Sequence, residues 1–403
     1  MRSALRPLAA PRFRMLFFGR LVSFLGNAMA PIALAFAVLE LTGSAGDLGI
    51  VLAARSLPTV AFLLVGGVWA DRLPRHVLLV AFSLVACVTQ AAAAALLITG
   101  VARVWQLALL EAVNGMAAAF LGPASLGVVP QTIASHLIQP ANGLLRLAIN
   151  AAKVLGAAAA GLVVAGLGAG WDIAFDAATF AVAAVFFARL RLPGIEGLRL
   201  GVLSELRGGW REFRSRTWLW AIVVQFAFVN AAFAGGFEVL GPFVAERHLG
   251  GATTWGLVVA AESVGFIAGG LLALWHRPHR PLLVATYGVL AGVPVLIALA
   301  VAAPVPVILA AAFVTGAGFE TFGVQWDTAV QHHVPPEALS RVYAYDTVGS
   351  LVLGPVGQSL AGPAMIALGL GGAVGLSAAV LFAATVAVLG VHDVRTLPRH
   401  VSA

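Results

Sequence analysis

Ala61-Phe62-Leu63-Leu64-Val65-Gly66-Gly67-Val68-Trp69-Ala70-Asp71-Arg72-Leu73-Pro74-Arg75-His76 decides how this chain is read. An apolar run ends in paired glycines, then in an acid, two arginines and a proline. A bilayer core about 30 Å thick needs roughly 20 apolar residues per helix. The run is therefore a spanning helix, and the charges mark where it reaches water. The glycines let a neighbouring helix approach closely.

The same alternation extends outward through the chain of 403 residues, of which 61% are hydrophobic and 10% charged. A soluble domain carries about 25% charged residues, so a water-facing surface cannot be covered. Ten-residue alternating segments of the β-barrel kind are absent, and helices remain the way to satisfy the backbone in lipid. Spans are expected at 15–41, 47–70, 77–99, 104–129, 143–168 and 171–190. Six more are expected at 217–245, 253–275, 282–302, 306–331, 341–369 and 371–391.

The prediction is an all-α membrane protein of twelve transmembrane helices in two six-helix pseudo-repeats. Residues 1–190 form the first bundle and 217–403 the second. Residues 191–216 form a cytoplasmic linker. In it Leu203, Leu206, Trp210 and Phe213 recur at helical spacing among arginines, which fits a short amphipathic helix on the membrane surface; a solvated linker is the alternative. Asn27 and Asn230 sit 203 residues apart, each in the first helix of its half. Gly66-Gly67 matches Gly269-Gly270 at the same offset. Parallel repeats of this kind place a transport site between the halves.

Net charge is +7, and Lys153 is the lone lysine among 24 basic residues. Arg2, Arg6, Arg12, Arg14, Arg72, Arg75, the arginines of 189–216, Arg277, Arg280, Arg341, Arg395 and Arg399 fall on one side. Arg103 and Arg247 fall on the other. The positive-inside bias puts both termini in the cytoplasm. The Ala-, Gly- and Arg-rich composition suggests a GC-rich bacterium, hence its inner membrane. The run 15–41 is too long for a signal-peptide core of about 7–15 residues and is read as an uncleaved first helix. Basic residues dispersed between apolar runs argue against a nucleic-acid partner. Cys87 is alone, which excludes a disulfide framework. His332-His333 lack a third ligand at zinc spacing, and no phosphate-binding Gly-x-x-x-x-Gly-Lys run occurs. No cofactor, metal or enzyme constellation is expected.

Gly67-Val-Trp-Ala-Asp71-Arg72-Leu-Pro-Arg75-His76 resembles motif A of the major facilitator superfamily. Trp69, Pro74 and His76 depart from its consensus. Ala108-Leu-Leu-Glu111-Ala-Val-Asn114-Gly115 occupies the place of motif B, with Glu111 where the family carries an arginine. Lys153-Val-Leu-Gly156-Ala-Ala-Ala-Ala-Gly161 resembles a degenerate antiporter motif without its Gly-Pro pair, and helix 11 keeps such a pair in Gly354-Pro355-Val-Gly357. Val334-Pro-Pro-Glu337-Ala-Leu-Ser-Arg341-Val and Trp171-Asp-Ile-Ala-Phe-Asp176-Ala-Ala-Thr-Phe180 are similar to the drug:proton antiporter group of enterobactin exporters and macrolide efflux proteins. The resemblance implies alternating access and export of a small, amphipathic organic molecule (drug, antibiotic, siderophore or other secondary metabolite) by proton antiport from a monomer. A proton-coupled importer and a transport-inactive sensor or scaffold are the alternatives. It also implies a conformational latch made of Gly67, Asp71, Arg72 and Arg75.

A charge at a helix centre costs roughly 2.5–3.5 kcal/mol, so each one inside a span needs a reason. Glu111, Glu262 and Glu320 are the proton-coupling candidates, with Arg55, Lys153 and Arg20 as charge partners. At about 1.5 Å per residue, Arg55 and Glu111 come to matching depth in helices 2 and 4. Glu40, Asp47, Glu238, Asp327 and Asp346 are expected near helix ends. The resemblance makes helices 1, 4, 7 and 10 line a central cavity. Their candidates are Phe24, Asn27, Asn114, Phe120, Phe226, Asn230, Phe233, Phe319 and Gln325. Aromatic walls with a few amides suit a bulky amphipathic ligand.

Overall fold

A computed structural model describes residues 6–126, 128–190, 192, 210–275, 278–335 and 338–398, with backbone alone at 68, 70–72, 126, 135, 139, 274 and 340. Among the described residues all regular structure is helical. The first six long helices are α1 (Pro11–Thr42), α2 (Ala45–Arg72), α3 (Arg75–Ile98), α4 (Val104–Leu126), α5 (Ile138–Leu167) and α6 (Ala169–Ala188). They are followed by α7 (Thr217–Leu249), α8 (Ala252–Trp275), α9 (Pro281–Ala300) and α10 (Val305–His333).

The helical column Arg341–Leu389 is too long for one crossing. Gly369 splits it, with φ 74° and ψ 168° inside the column. That conformation reverses a helix and lies in the left-handed half of the map, which glycine enters without a Cβ penalty. The column is therefore α11 (339–368) and α12 (370–389), and the described residues hold the twelve spanning helices expected from the sequence. α5 begins at Ile138, five residues before the position expected.

Three helices are interrupted by proline, α11 at residues 352–353 just before Pro355. Pro294 cannot donate to the carbonyl of Leu290, and α9 breaks there into Pro281–Val289 and Gly292–Ala300. Pro242 likewise cannot bond back to Glu238, and α7 widens into a π-helix over Ala234–Val239. Glu238 therefore lies well inside α7 and not at its end, where it accepts a 2.9 Å hydrogen bond from Gln358 Nε2.

The chain divides into two compact units, Met1–Leu198 and Arg199–Ala403. In the first, α2 packs on α4, and α1 and α3 both pack on α6. The second repeats this scheme, with α8 packed on α10 and α7 on α11 and α12. Phe13, Leu16, Leu78, Leu79, Phe187 and Leu190 close one end of the first bundle as a buried cluster. Large apolar side chains such as Leu57, Leu147, Leu155 and Leu162 are more than 60% exposed. In a spanning bundle these are the residues that meet lipid tails. Of the expected linker helix, residues 210–214 are described and helical. Phe213 is buried, and Trp210 and Phe213 pack on Tyr345 of α11. Leu203 and Leu206 lie outside the described residues.

Candidate functional site

Glycine sets the α2–α4 crossing. A Cβ on Gly115 would strike the carbonyl of Arg55, and one on Gly66 the carbonyl of Ala119. Between these contacts the Thr59 hydroxyl lies 2.9 Å from the Gly115 carbonyl and 2.8 Å from that of Arg55. Backbones this close carry the side chains at their crossing into contact. Arg55 Nη1 donates to Glu111 Oε2 at 3.0 Å, with the Glu111 side chain 2% exposed and that of Arg55 23%. The two charges read at matching depth are therefore one ion pair. A carboxylate so enclosed needs its cation, because low-dielectric surroundings disfavour an unpaired charge.

One turn along α4, Asn114 is buried and donates to Thr89 of α3 at 3.3 Å. Asn114 also borders a cavity of about 150 Å³ inside the first unit, together with Arg20, Phe24, Asn27, Ser83 and Phe180. Arg20 stacks its guanidinium 5.0 Å from the Phe24 ring. Asn27 Nδ2 is spent on the Ser23 carbonyl at 2.8 Å, so its amide oxygen is the end left to a ligand. Four residues named from sequence thus share one wall: Arg20, Phe24, Asn27 and Asn114. Lys153, on α5, is exposed.

Phe120 lies apart from this cavity. It is buried, stacked 4.2 Å from Phe82 and packed edge-on against Trp69. It belongs to the helix packing beside Gly66 and not to the cavity. Gly67 faces open space. A Cβ there meets nothing within 4 Å, whereas Gly66 is pressed on α4. Arg75 opens α3 and is half-buried. The side chains of Asp71 and Arg72 lie outside the described residues.

Two acids that the sequence reading used only for resemblance stand out in the structure. Asp172 and Asp176 of α6 are both 0% exposed. Neither oxygen of Asp172, nor Oδ2 of Asp176, has a hydrogen-bond partner among the described residues. Asp176 lies against α1, where a Cβ on Gly26 would strike its Oδ1, and within electrostatic reach of Arg55 and Glu111. The signal was present: two carboxyls four residues apart in an apolar run share one helix face.

The second unit repeats the glycine crossing with other side chains. A Cβ on Gly316 of α10 would strike the Glu262 carbonyl, and one on Gly269 the Ala317 carbonyl. Glu262 is buried and Glu320 half-buried. The second unit is also rich in ring pairs. Phe226 stacks on Phe322 at 4.3 Å, Phe233 meets Phe319 at 5.3 Å, and Trp326 meets Trp218 at 5.6 Å. Asp346, expected near a helix end, accepts the Trp326 indole at 2.9 Å and the Ser350 hydroxyl at 3.2 Å. Asn230 donates to the Ser350 carbonyl at 2.9 Å, and Gln325 is buried. The Gly-Pro segment of α11 also has a packing role, since a Cβ on Gly357 would strike the Ala231 carbonyl of α7. Among the described residues no group of three or more His, Cys, Asp or Glu is placed to hold a metal ion.

Comparisons with known proteins agree with this architecture. The multidrug efflux pump Tap of Mycolicibacterium fortuitum is 28% identical over 373 residues, covering 88% of this chain and 90% of that protein. Tap of Mycobacterium tuberculosis (strain ATCC 25618 / H37Rv) is 27% identical, covering 88% and 87%. Among solved structures, a bacterial homologue of the human lysosomal transporter Spinster, inward-facing and unoccupied, superposes with a TM-score of 0.78 at 16% identity. The match covers 98% of this chain and 99% of that one, and speaks for the fold. The family model described as Major Facilitator Superfamily matches residues 16–358. This chain, a multi-pass helical membrane transporter, belongs to the major facilitator superfamily.

Proposed function

We propose that the protein exports a small amphipathic organic molecule from the bacterial cytoplasm by proton antiport. It works as a monomer in the inner membrane, with both termini cytoplasmic, and by alternating access. The observation that carries this reading is the Arg55–Glu111 ion pair, enclosed in the first bundle beside a cavity lined by Arg20, Phe24, Asn27 and Asn114. Ionisable residues inside a spanning bundle are costly, and their usual justification is an ion or substrate pathway. The cavity's mixture of aromatic ring, amide and guanidinium suits a partly polar, partly flat guest. The likeness, over 88% of the chain, to proteins named multidrug efflux pumps favours export over import. Asp71, Arg72 and Arg75 remain the proposed latch at the α2–α3 turn.

Purified protein in liposomes under an imposed pH gradient, with ethidium as probe, tests this reading. The expected result is uphill ethidium accumulation that a protonophore abolishes, with ethidium addition driving counterflow of protons. Ethidium movement only down its own gradient, unaffected by pH, would contradict it.

A further inference from the structure

The first bundle holds more buried acid than buried base around its ion pair. Arg55 and Glu111 satisfy one another at 3.0 Å. Asp172 and Asp176 of α6 are fully buried, Asp176 within electrostatic reach of that pair, and three of their four oxygens lack hydrogen-bond partners among the described residues. An ionised carboxylate in that position would carry an uncompensated charge out of water, which costs far more than holding a proton. We propose that Asp176 is the proton-carrying site of this transporter, with Asp172 as its relay and Arg55, already paired with Glu111, as the cation for which its carboxylate form competes. This rests on the proton-antiport reading and moves the proton from Glu111 to a residue on α6.

The groups facing Asp176 can be taken helix by helix. α1 presents Gly26, whose missing side chain makes room for the carboxyl, and Arg20 lies further along the same helix in the cavity wall. α3 presents Cys87, within electrostatic reach. α2 and α4 contribute Arg55 and Glu111, and α6 itself contributes Asp172 and Thr179. The Thr179 hydroxyl donates to the Asp176 carbonyl at 2.7 Å and stands 3.5 Å from Oδ1. α5 also packs on α6, and its cations Arg146 and Lys153 are both exposed.

Position separates the two acids. Asp172 sits in the first turn of α6, where the positive end of the helix dipole favours a negative charge. Asp176 lies one turn deeper, beyond that help, and is the better place to keep a proton. The cavity wall at Phe180 is one further turn along the same face. A proton entering from the α6 N-terminus would meet Asp172, then Asp176, then the cavity. The step is a simple protonation. Carboxylate plus proton gives the neutral acid when the site opens to the proton-rich side, and the reverse regenerates the carboxylate on the other. With the proton on, Arg55 serves Glu111 alone. With it off, Arg55 has two carboxylates within its electrostatic reach, so protonation changes the charge balance at the α2–α4 crossing. A ligand shifts a conformational equilibrium only through such differential interaction.

Asp176→Asn in the full chain tests this by two independent readouts. Infrared titration of purified protein reads the C=O stretch of protonated carboxyls. The variant is expected to lose one titrating band that wild type and Asp172→Asn retain. In liposomes it is expected to lose pH-driven ethidium accumulation while downhill ethidium equilibration and thermal stability stay at wild-type level. Asp176→Glu is expected to restore accumulation in part. An unchanged band set, or driven accumulation surviving in Asp176→Asn, would overturn the assignment. So would failure of the Asn variant to fold, because an amide replaces a neutral acid at nearly equal volume and charge. If wild type shows the band but never accumulates ethidium against a gradient, antiport fails while the protonated Asp176 stands.

Discussion

The α2–α4 crossing of the first unit and the α8–α10 crossing of the second use the same backbone device with different side chains. In each, glycines press one helix onto the carbonyls of the other: Gly115 on Arg55, and Gly316 on Glu262. The first unit then fills its interior with charge, in Arg55, Glu111, Asp172 and Asp176. The second fills its interior with rings, in Phe226, Phe322, Phe319 and Trp326. Helix approach is the part the repeat has kept, because without a hydrophobic drive between helices in lipid, close packing and small residues hold a bundle together. Side-chain chemistry is the part free to diverge. Under the proposed function the first unit handles the proton beside its own guest cavity, and the rings of the second offer further flat surface to an organic guest.

The shared device is the place to break the comparison most severely. Gly115→Leu and Gly316→Leu should each cost about 3 kcal/mol or more, because the new side chain lands on backbone that cannot yield. Thermal unfolding followed by tryptophan fluorescence reads this, and tolerance at Gly316 with collapse at Gly115 would show that the crossings are not equivalent. Next in size is the charge unique to the first unit. Glu111→Gln strands a largely buried guanidinium and should cost about 3 kcal/mol, with substantial recovery in the Arg55→Gln/Glu111→Gln double variant. A double variant no more stable than the single would mean the pair is not coupled.

Much of this was legible because lipid allows few structures. Apolar runs had to be helices, and the break between the last two spans was expected at 370, one residue from the Gly369 that makes it. Helical phase was the information left unused. Phe120 lies six residues beyond Asn114, about 120° away around the helix, so the two cannot share a wall. The same phase puts Gly66, and not its neighbour Gly67, on α4. The π-helix at Ala234–Val239 could not be read, since many prolines here (Pro31, Pro58 and Pro123 among them) sit in helices without such a bulge. Asp176 was overlooked because its significance depends on Arg55 and Glu111, remote in sequence and joined to it only by the folded bundle.

Smaller effects sharpen the division of roles. Phe322→Leu keeps apolar bulk but loses the stack on Phe226 and should weaken ethidium binding by about 1 kcal/mol. Tryptophan quenching measures the affinity, and the ratio of pH-driven to downhill transport should not change. A changed ratio would place coupling in the second unit as well. Smallest of all is Gly67→Ala, expected within about 0.5 kcal/mol of wild type, whereas Gly66→Ala should destabilise measurably. Equal effects at the two positions would mean that the helix faces are misassigned.

The most direct measurement is steady-state ethidium accumulation in liposomes at one fixed pH gradient, comparing carboxyl-neutralised variants of the two units. Asp176→Asn in the first unit is set against Glu262→Gln and Glu320→Gln in the second. The account predicts that accumulation falls to background in Asp176→Asn and persists in both second-unit variants. Persistence in Asp176→Asn with loss in Glu262→Gln or Glu320→Gln would contradict it and move the proton to the second unit.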